Sequence, residues 1–183
     1  MSRIEKITGP EGLDAEQRAV YDRIAGGARG GVRGPHTVLI NNPGLAAPVD
    51  QLGVYVRYDC SVPERLRELA ILVVAARWKA DYEWYAHAPL AKKQGLSDDV
   101  LSAIGSGHAP TFAEEADSAV HDFARSMAHD GRVEDDIYAR AEQHLGSKGL
   151  IDLTGLIGYY TLVAYTLNTF EIGVPDSAAI PWR

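Results

Sequence analysis

Apolar positions along the chain recur at intervals of three and four residues, and no segment alternates convincingly with a period of two. That pattern predicts an all-α fold. Ala19, Val20 and Ile24 form one stripe of a first helix, opened by Leu13-Asp14-Ala15-Glu16 and capped by Asp14. The run Gly26-Gly27-Ala28-Arg29-Gly30-Gly31 ends it. This run follows a helix rather than a strand and lacks GxGxxG or Gly-Lys-Ser/Thr spacing, so it reads as a flexible loop and not a phosphate cradle. Residues 34–44 read as a connector with a short apolar stretch, and a helix follows from Leu45 to about Tyr58. Pro63 sits at the first turn of the next helix, where Leu66, Leu69, Ala70, Val73, Val74 and Ala76 keep helical spacing. Leu69 to Ala76 is apolar nearly all round, which predicts the buried centre of the domain.

A further helix, from about Asp81 to Gln94, ends at Gly95 with Lys92 and Lys93 in its last turn. Pro89 inside it is expected to kink it. Ser97 caps a short helix to Ile104. Thr111 to Asp130, Glu134 to Leu145 and Leu150 to Phe170 read as three more. The division expected is an arm with the first helix (1–33), a helical domain (34–175) and a tail (176–183). The apolar helices at 66–76 and 150–170 exceed what one small bundle hides, so a homo-oligomer is expected, as a dimer, trimer or hexamer.

Composition narrows the function. The chain has 183 residues, with 18 Lys and Arg against 25 Asp and Glu, for a formal net charge of −7. That excludes a generally basic nucleic-acid-binding surface. Its one cysteine, Cys60, excludes an internal disulfide, a CxxC redox pair and a cysteine-rich zinc site. The first twelve residues lack a signal peptide's apolar core. The longest apolar stretches, such as Leu69 to Ala76, fall far short of a membrane span. A cytoplasmic protein that engages neither membrane nor nucleic acid is expected.

One constellation invites chemistry. Glu83 and His87 stand at i and i+4, on one face of their helix. A carboxylate beside an imidazole fixes its tautomer and raises its pKa, which suits acid–base work near neutrality. Glu68 lies within an apolar helix, where an unpaired carboxylate is costly to bury. Its partner is expected among His87, Arg67, Arg77 and a tyrosine. The plain alternative is a surface Glu–His pair with a structural salt bridge. His36 is a second histidine of interest, with a solvent-exposed loop position as its alternative. His108 falls in a loop, and His121, His129 and His144 on polar helix faces. No HxxxH or HExxH occurs. Tyr159, Tyr160, Tyr165 and Phe170 fit core or interface better than a ligand stack. Asn168, in an apolar helix, needs a hydrogen-bond partner and is either a substrate contact or a buried structural group.

The stretch from Pro63 to Gly95 resembles the carboxymuconolactone decarboxylase family, which shares the alkylhydroperoxidase D-like helical fold. The landmarks are RELAIL, YEW-x-x-H and the following x-P-x-A-x-x-x-G-L-S. Leu156-Ile157-Gly158-Tyr159-Tyr160 and Leu167-Asn168-Thr169-Phe170 also resemble the family's last helix. In its peroxidase branch, a glutamate feeds protons through a histidine to a CxxC pair. Glu68 and His87 match the first two, but Ala80 and Glu83 stand where the cysteines would be. Without thiolates that peroxidase route cannot run.

The resemblance therefore implies the decarboxylase branch: a lyase without cofactor or resident metal that removes CO2 from a small carboxylated lactone or β-keto acid. The carbonyl is the electron sink, and His87 donates the proton, tuned by Glu83 or Glu68. Trp84, Tyr82 and Tyr85 would line an apolar wall. Arg67 or Arg77 would anchor a carboxylate, Arg77 being alternatively a helix-end cation. His36 and Asn168 complete the substrate-binding candidates. Two other classes remain open: a metal site built from Glu68, Glu83 and His87, and a binding protein that keeps the fold without the chemistry.

Overall fold

The computed structural model describes residues 2–183, and no strand occurs among them. Eight α-helices follow in order: α1 (Ala15–Gly26), α2 (His36–Leu39), α3 (Pro43–Val54), α4 (Glu64–Trp78), α5 (Asp81–Lys93), α6 (Asp98–Gly105), α7 (Glu115–Asp130) and α8 (Asp135–Thr169). Between α3 and α4 the chain makes a π-helical turn, Tyr55–Asp59.

Local chemistry sets the ends. Asp14 caps α1 through a box with Gln17, each side chain serving the other's backbone. Asn42 caps α3, with Pro43 in its first turn, and Ser97 caps α6. Gly131 (φ 70°) ends α7 in the left-handed conformation that suits glycine. Pro89 lies inside α5, which continues through it.

Helix α4 is the central element. Leu66 and every residue from Glu68 to Ala75 on it are buried, and it packs against α5, α7 and α8. Substituting Leu69 or Leu72 by alanine there would cost about 2–5 kcal/mol. At its end, Lys79 adopts φ 49°. This left-handed turn sends the chain back as α5, alongside α4.

Three expectations from the pattern need correction. The connector 34–44 contains α2, whose four residues are all buried. The helix expected to Tyr58 is α-helical only to Val54 and then widens, closing on Cys60 N donating to Tyr55 O at 2.9 Å. Helix α8 is, by length and composition, apolar enough to cross a membrane, contrary to the expected shortfall. It is broken at Gly146 (φ 64°, ψ 173°), and 61% of its apolar window is buried against the rest of the fold.

Asp152, on the second arm of α8, ties that helix to the π turn. Tyr55 Oη donates to Asp152 Oδ1 at 2.7 Å, while Ser61 N and Oγ donate to Oδ2 at 2.8 and 2.6 Å. Lys148 Nζ donates from 2.9 Å. Burial alone would raise the Asp152 pKa, but the hydrogen bonds from Ser61, Lys148 and Tyr55 outweigh it and hold the carboxyl well below the usual range.

Candidate active site

Glu68, in mid-α4, finds its partner across the α4–α5 turn. His87 Nδ1 lies 2.6 Å from Glu68 Oε2, and His87 Nε2 lies 3.3 Å from Glu83 Oε2. All three side chains are buried, His87 to 1% exposure. Removal from water disfavours the imidazolium, but hydrogen bonds to both carboxylates outweigh that and raise the His87 pKa to about 8. The ring is thus protonated at neutrality, with one N–H toward each carboxylate. Tyr160 packs edge-on against it, 5.2 Å between centroids.

Glu83 and His87 face a cavity of about 250 Å³, lined also by Arg29, Arg33, His36, Arg57, Tyr58, Tyr82, Tyr159 and Tyr160. Glu68 lies behind the ring, so Nε2 is on the cavity side. Helix phase sorts α5: Tyr82, Glu83, Ala86 and His87 face this cavity, while Trp84, Tyr85 and Ala88 face a separate groove beside the tail.

His36 is 4% exposed, not a loop side chain in solvent. Burial, then the nearby Arg29 charge, lower its pKa to about 4 despite Asp50, so it is neutral at pH 7. Its Nε2 is 3.7 Å from Asp50 Oδ1 and has no hydrogen-bond partner. Arg29 reaches in from the glycine-rich loop, donating from Nε to Asp50 Oδ1 and from Nη2 to Tyr159 Oη, both at 3.1 Å. Two glycines make room. A Cβ on Gly53 would lie 2.2 Å from Arg29 Nη2 and 2.3 Å from Tyr159 Oη. One on Gly34 (φ 53°) would lie 2.3 Å from Tyr82 Cε1.

Arg57, on the π turn, forms no ion pair with any described residue, and its guanidinium lies 5.5 Å from the Tyr58 ring centre. Burial opposes its charge, but the fields of Tyr160, Tyr58, Glu68 and Glu83 outweigh it and raise its pKa. Burial raises Tyr159 to about 12 and Tyr160 well above its ordinary value, so both phenols keep their protons. The cavity therefore presents an unpaired cation and neutral hydroxyl donors opposite a carboxylate–imidazolium pair, a setting for a small anionic ligand.

Besides Tyr85, four expected contacts lie elsewhere. Arg67 turns back to donate from Nη1 to Val62 O at 3.1 Å. Arg77 is nine residues beyond Glu68, two and a half turns, so it projects from the opposite side of α4 and lines a different cavity. Trp84 packs edge-on against Trp182, 5.3 Å between centroids. Asn168 is exposed and donates from Nδ2 to Trp78 O at 2.7 Å, satisfying a carbonyl that the end of α4 leaves open. His121, expected on a polar face, is buried at 7% exposure and contacts Asp122. Cys60 is buried too, its thiol donating to Val56 O.

Among the described residues no group of three or more His, Cys, Asp and Glu side chains is arranged to hold a metal ion. Glu68 and Glu83 sit on opposite nitrogens of His87 rather than converging with it on one point.

Residues 43–125, from α3 into α7, match the carboxymuconolactone decarboxylase family. The match spans somewhat less than half of the chain, and it is this segment that resembles that family. It carries Glu68, Glu83 and His87, whereas Arg29, Arg33, His36, Tyr159 and Tyr160 lie outside it. No curated protein matches the chain. Among solved structures, the AhpD-core, uncharacterized peroxidase-related protein from Ralstonia eutropha is 16% identical, with a TM-score of 0.76 over 96% of this chain and 93% of that one. An uncharacterized peroxidase-related protein from a Silicibacter species is 14% identical, with a TM-score of 0.69 over 96% and 94%. A cysteine variant of the debrominase Bmp8, bound to 2,3,4-tribromopyrrole, is 14% identical, with a TM-score of 0.65 over 98% and 94%. The fold is thus AhpD-like, and this chain lacks a CxxC pair.

Proposed function

We propose that the chain is a cofactor-free lyase that removes CO2 from a small carboxylated lactone or β-keto acid by acid–base catalysis. The observation that carries this reading is the protonated His87, clamped between Glu68 and Glu83 and opening onto a cavity with an unpaired Arg57. The bond from the substrate's carboxylate carbon to its neighbour breaks, and its electron pair moves toward the carbonyl oxygen. Arg57 and the neutral hydroxyls of Tyr159 and Tyr160 are donors for that developing negative charge. The Nε2 proton of His87 passes to the carbanionic carbon, Glu83 orienting the transfer, and solvent restores it. One substrate carboxylate and one proton become CO2 and a new C–H bond. The match of residues 43–125 to the decarboxylase family supports the reaction class.

The test is an NMR time course with γ-carboxymuconolactone and a panel of β-keto acids in deuterated buffer. Loss of the carboxylate with deuterium at one carbon, reduced about tenfold or more in His87→Ala and Glu83→Gln, is the expected result. Solvent exchange without CO2 loss, or full activity in either folded variant, overturns it.

A further inference from the structure

A second cavity, of about 530 Å³, lies between the end of α4, the α6–α7 connection, one face of α7 and the C-terminal tail. Its charged lining is of one sign. Arg77, Lys79 and Arg125 face it with His108, His121 and His129, and no carboxylate lines it, in a chain whose net charge is −7.

The nearby carboxylates are committed elsewhere. Asp122 accepts from Arg140 Nη2 at 2.5 Å and contacts His121. Asp81 accepts from the Trp182 indole at 2.7 Å and pairs with Arg183. Asp130 acts on His129 only as the smallest influence, after burial and the fields of Arg77 and Arg125, which together lower that imidazole's pKa. Arg77 stacks on Trp78, 4.4 Å to the ring centre, with its Nε buried and without a hydrogen-bond partner. Lys79 holds φ 49°, a backbone state easier for glycine.

The cavity is walled rather than merely patched. A Cβ on Gly105 would lie 2.5 Å from Pro181 Cγ, so the bare glycine lets the tail dock. Trp182 is then fixed by Asp81 and Trp84. Val73, Ala76 and Ile104 add apolar surface.

We propose that this cavity binds a small organic dianion, with Arg77, Arg125 and Lys79 on a phosphate-ester head and Trp182 and Ile104 against an apolar body. Three cations without counter-ions repel one another, and a doubly charged head relieves that repulsion while gaining charge-assisted hydrogen bonds. The site is separate from the His87 cavity, because Arg77 and Glu68 project from opposite sides of α4.

Calorimetric titration of the whole protein with phenyl phosphate, near neutral pH, tests it. One saturable site per chain is expected, weakened about tenfold or more by Arg77→Gln and by Arg125→Gln and unchanged by Glu83→Gln. Arg125 is exposed, so its variant keeps the test sound if Arg77→Gln fails to fold. Proton NMR of the His129 ring is expected to show its pKa rising on saturation. Absence of saturation at millimolar ligand, indifference to both arginine substitutions, or loss of binding in Glu83→Gln overturns the proposal. So does tighter, Arg125-dependent binding to vesicles containing phosphatidic acid, which would make a lipid headgroup the ligand.

Discussion

At His87, burial disfavours the imidazolium while two touching carboxylates favour it, and the carboxylates win; at His36, burial and Arg29 act together against Asp50, and the ring stays neutral. The two residues therefore shape opposite limbs of the stability profile. A histidine with a folded pKa raised above 6.5 adds stability that is complete below that pH and lost as pH rises through the folded value. His87 thus contributes about 2 kcal/mol that disappears as pH rises through about 8. His36, with its folded pKa near 4, binds its proton more weakly in the native state. It subtracts about 3 kcal/mol as pH falls from about 6.5 toward 4. Urea midpoints measured across pH should peak near neutrality. Glu68→Gln should move the alkaline decline to lower pH, and His36→Asn should flatten the acid one; unmoved limbs in both would show that other groups govern them. The need of Glu68 for a partner was legible in the sequence, because a lone carboxylate in an apolar run demands one. Arg57 was not legible, because its place depends on the extra residue of the π turn.

Among the elements, the helices that build the core could be read from spacing and caps: α1 from Asp14, α6 from Ser97, and α4 from its unbroken apolar run. The faces of α5 were harder to assign. Tyr82 and Trp84 are two residues apart, about 200° around a helix, so only one of them can share a wall with His87. The α2 turn was missed because four buried residues carry no periodicity. Glycines at element junctions set the cavity's shape, and this too can be measured. Gly53→Ala drives a methyl into the Arg29–Tyr159 contact. It should lower kcat/KM for a carboxylated substrate by about tenfold or more while costing about 1–3 kcal/mol of stability. Gly34→Ala adds backbone strain at φ 53° and displaces Tyr82, and should destabilise by a similar amount. Full activity with an unchanged melting curve in both variants would show that the cavity walls yield freely.

For the molecule as a whole, the His87 cavity gathers residues from the loop after α1, α2, the π turn, α5 and α8. Such a gathering has no signature in local spacing, which explains why Glu83 and His87 were visible as a pair while Arg29, Arg33, Tyr159 and Tyr160 were not. One outer surface still lacks a cover. Ile151, Leu162 and Tyr165 are 73%, 36% and 49% exposed. They fall within about 60° of one another around α8, with Gly158 on the same stripe. An apolar stripe of this kind is expected to meet a second copy of the chain. Light scattering should return a multiple of the single-chain mass, lowered by Ile151→Glu with Leu162→Glu; a monomer in the unaltered protein would refute this. The clamp on His87 has a further consequence. Its ring is held from both sides, so its cavity-side proton has one direction of travel. Under the proposed decarboxylation, a flat enolate in front of it would be approached from one face alone. If the carbon that receives the proton becomes stereogenic, the product would leave as a single mirror-image form, its handedness set by the two glutamates that hold the ring.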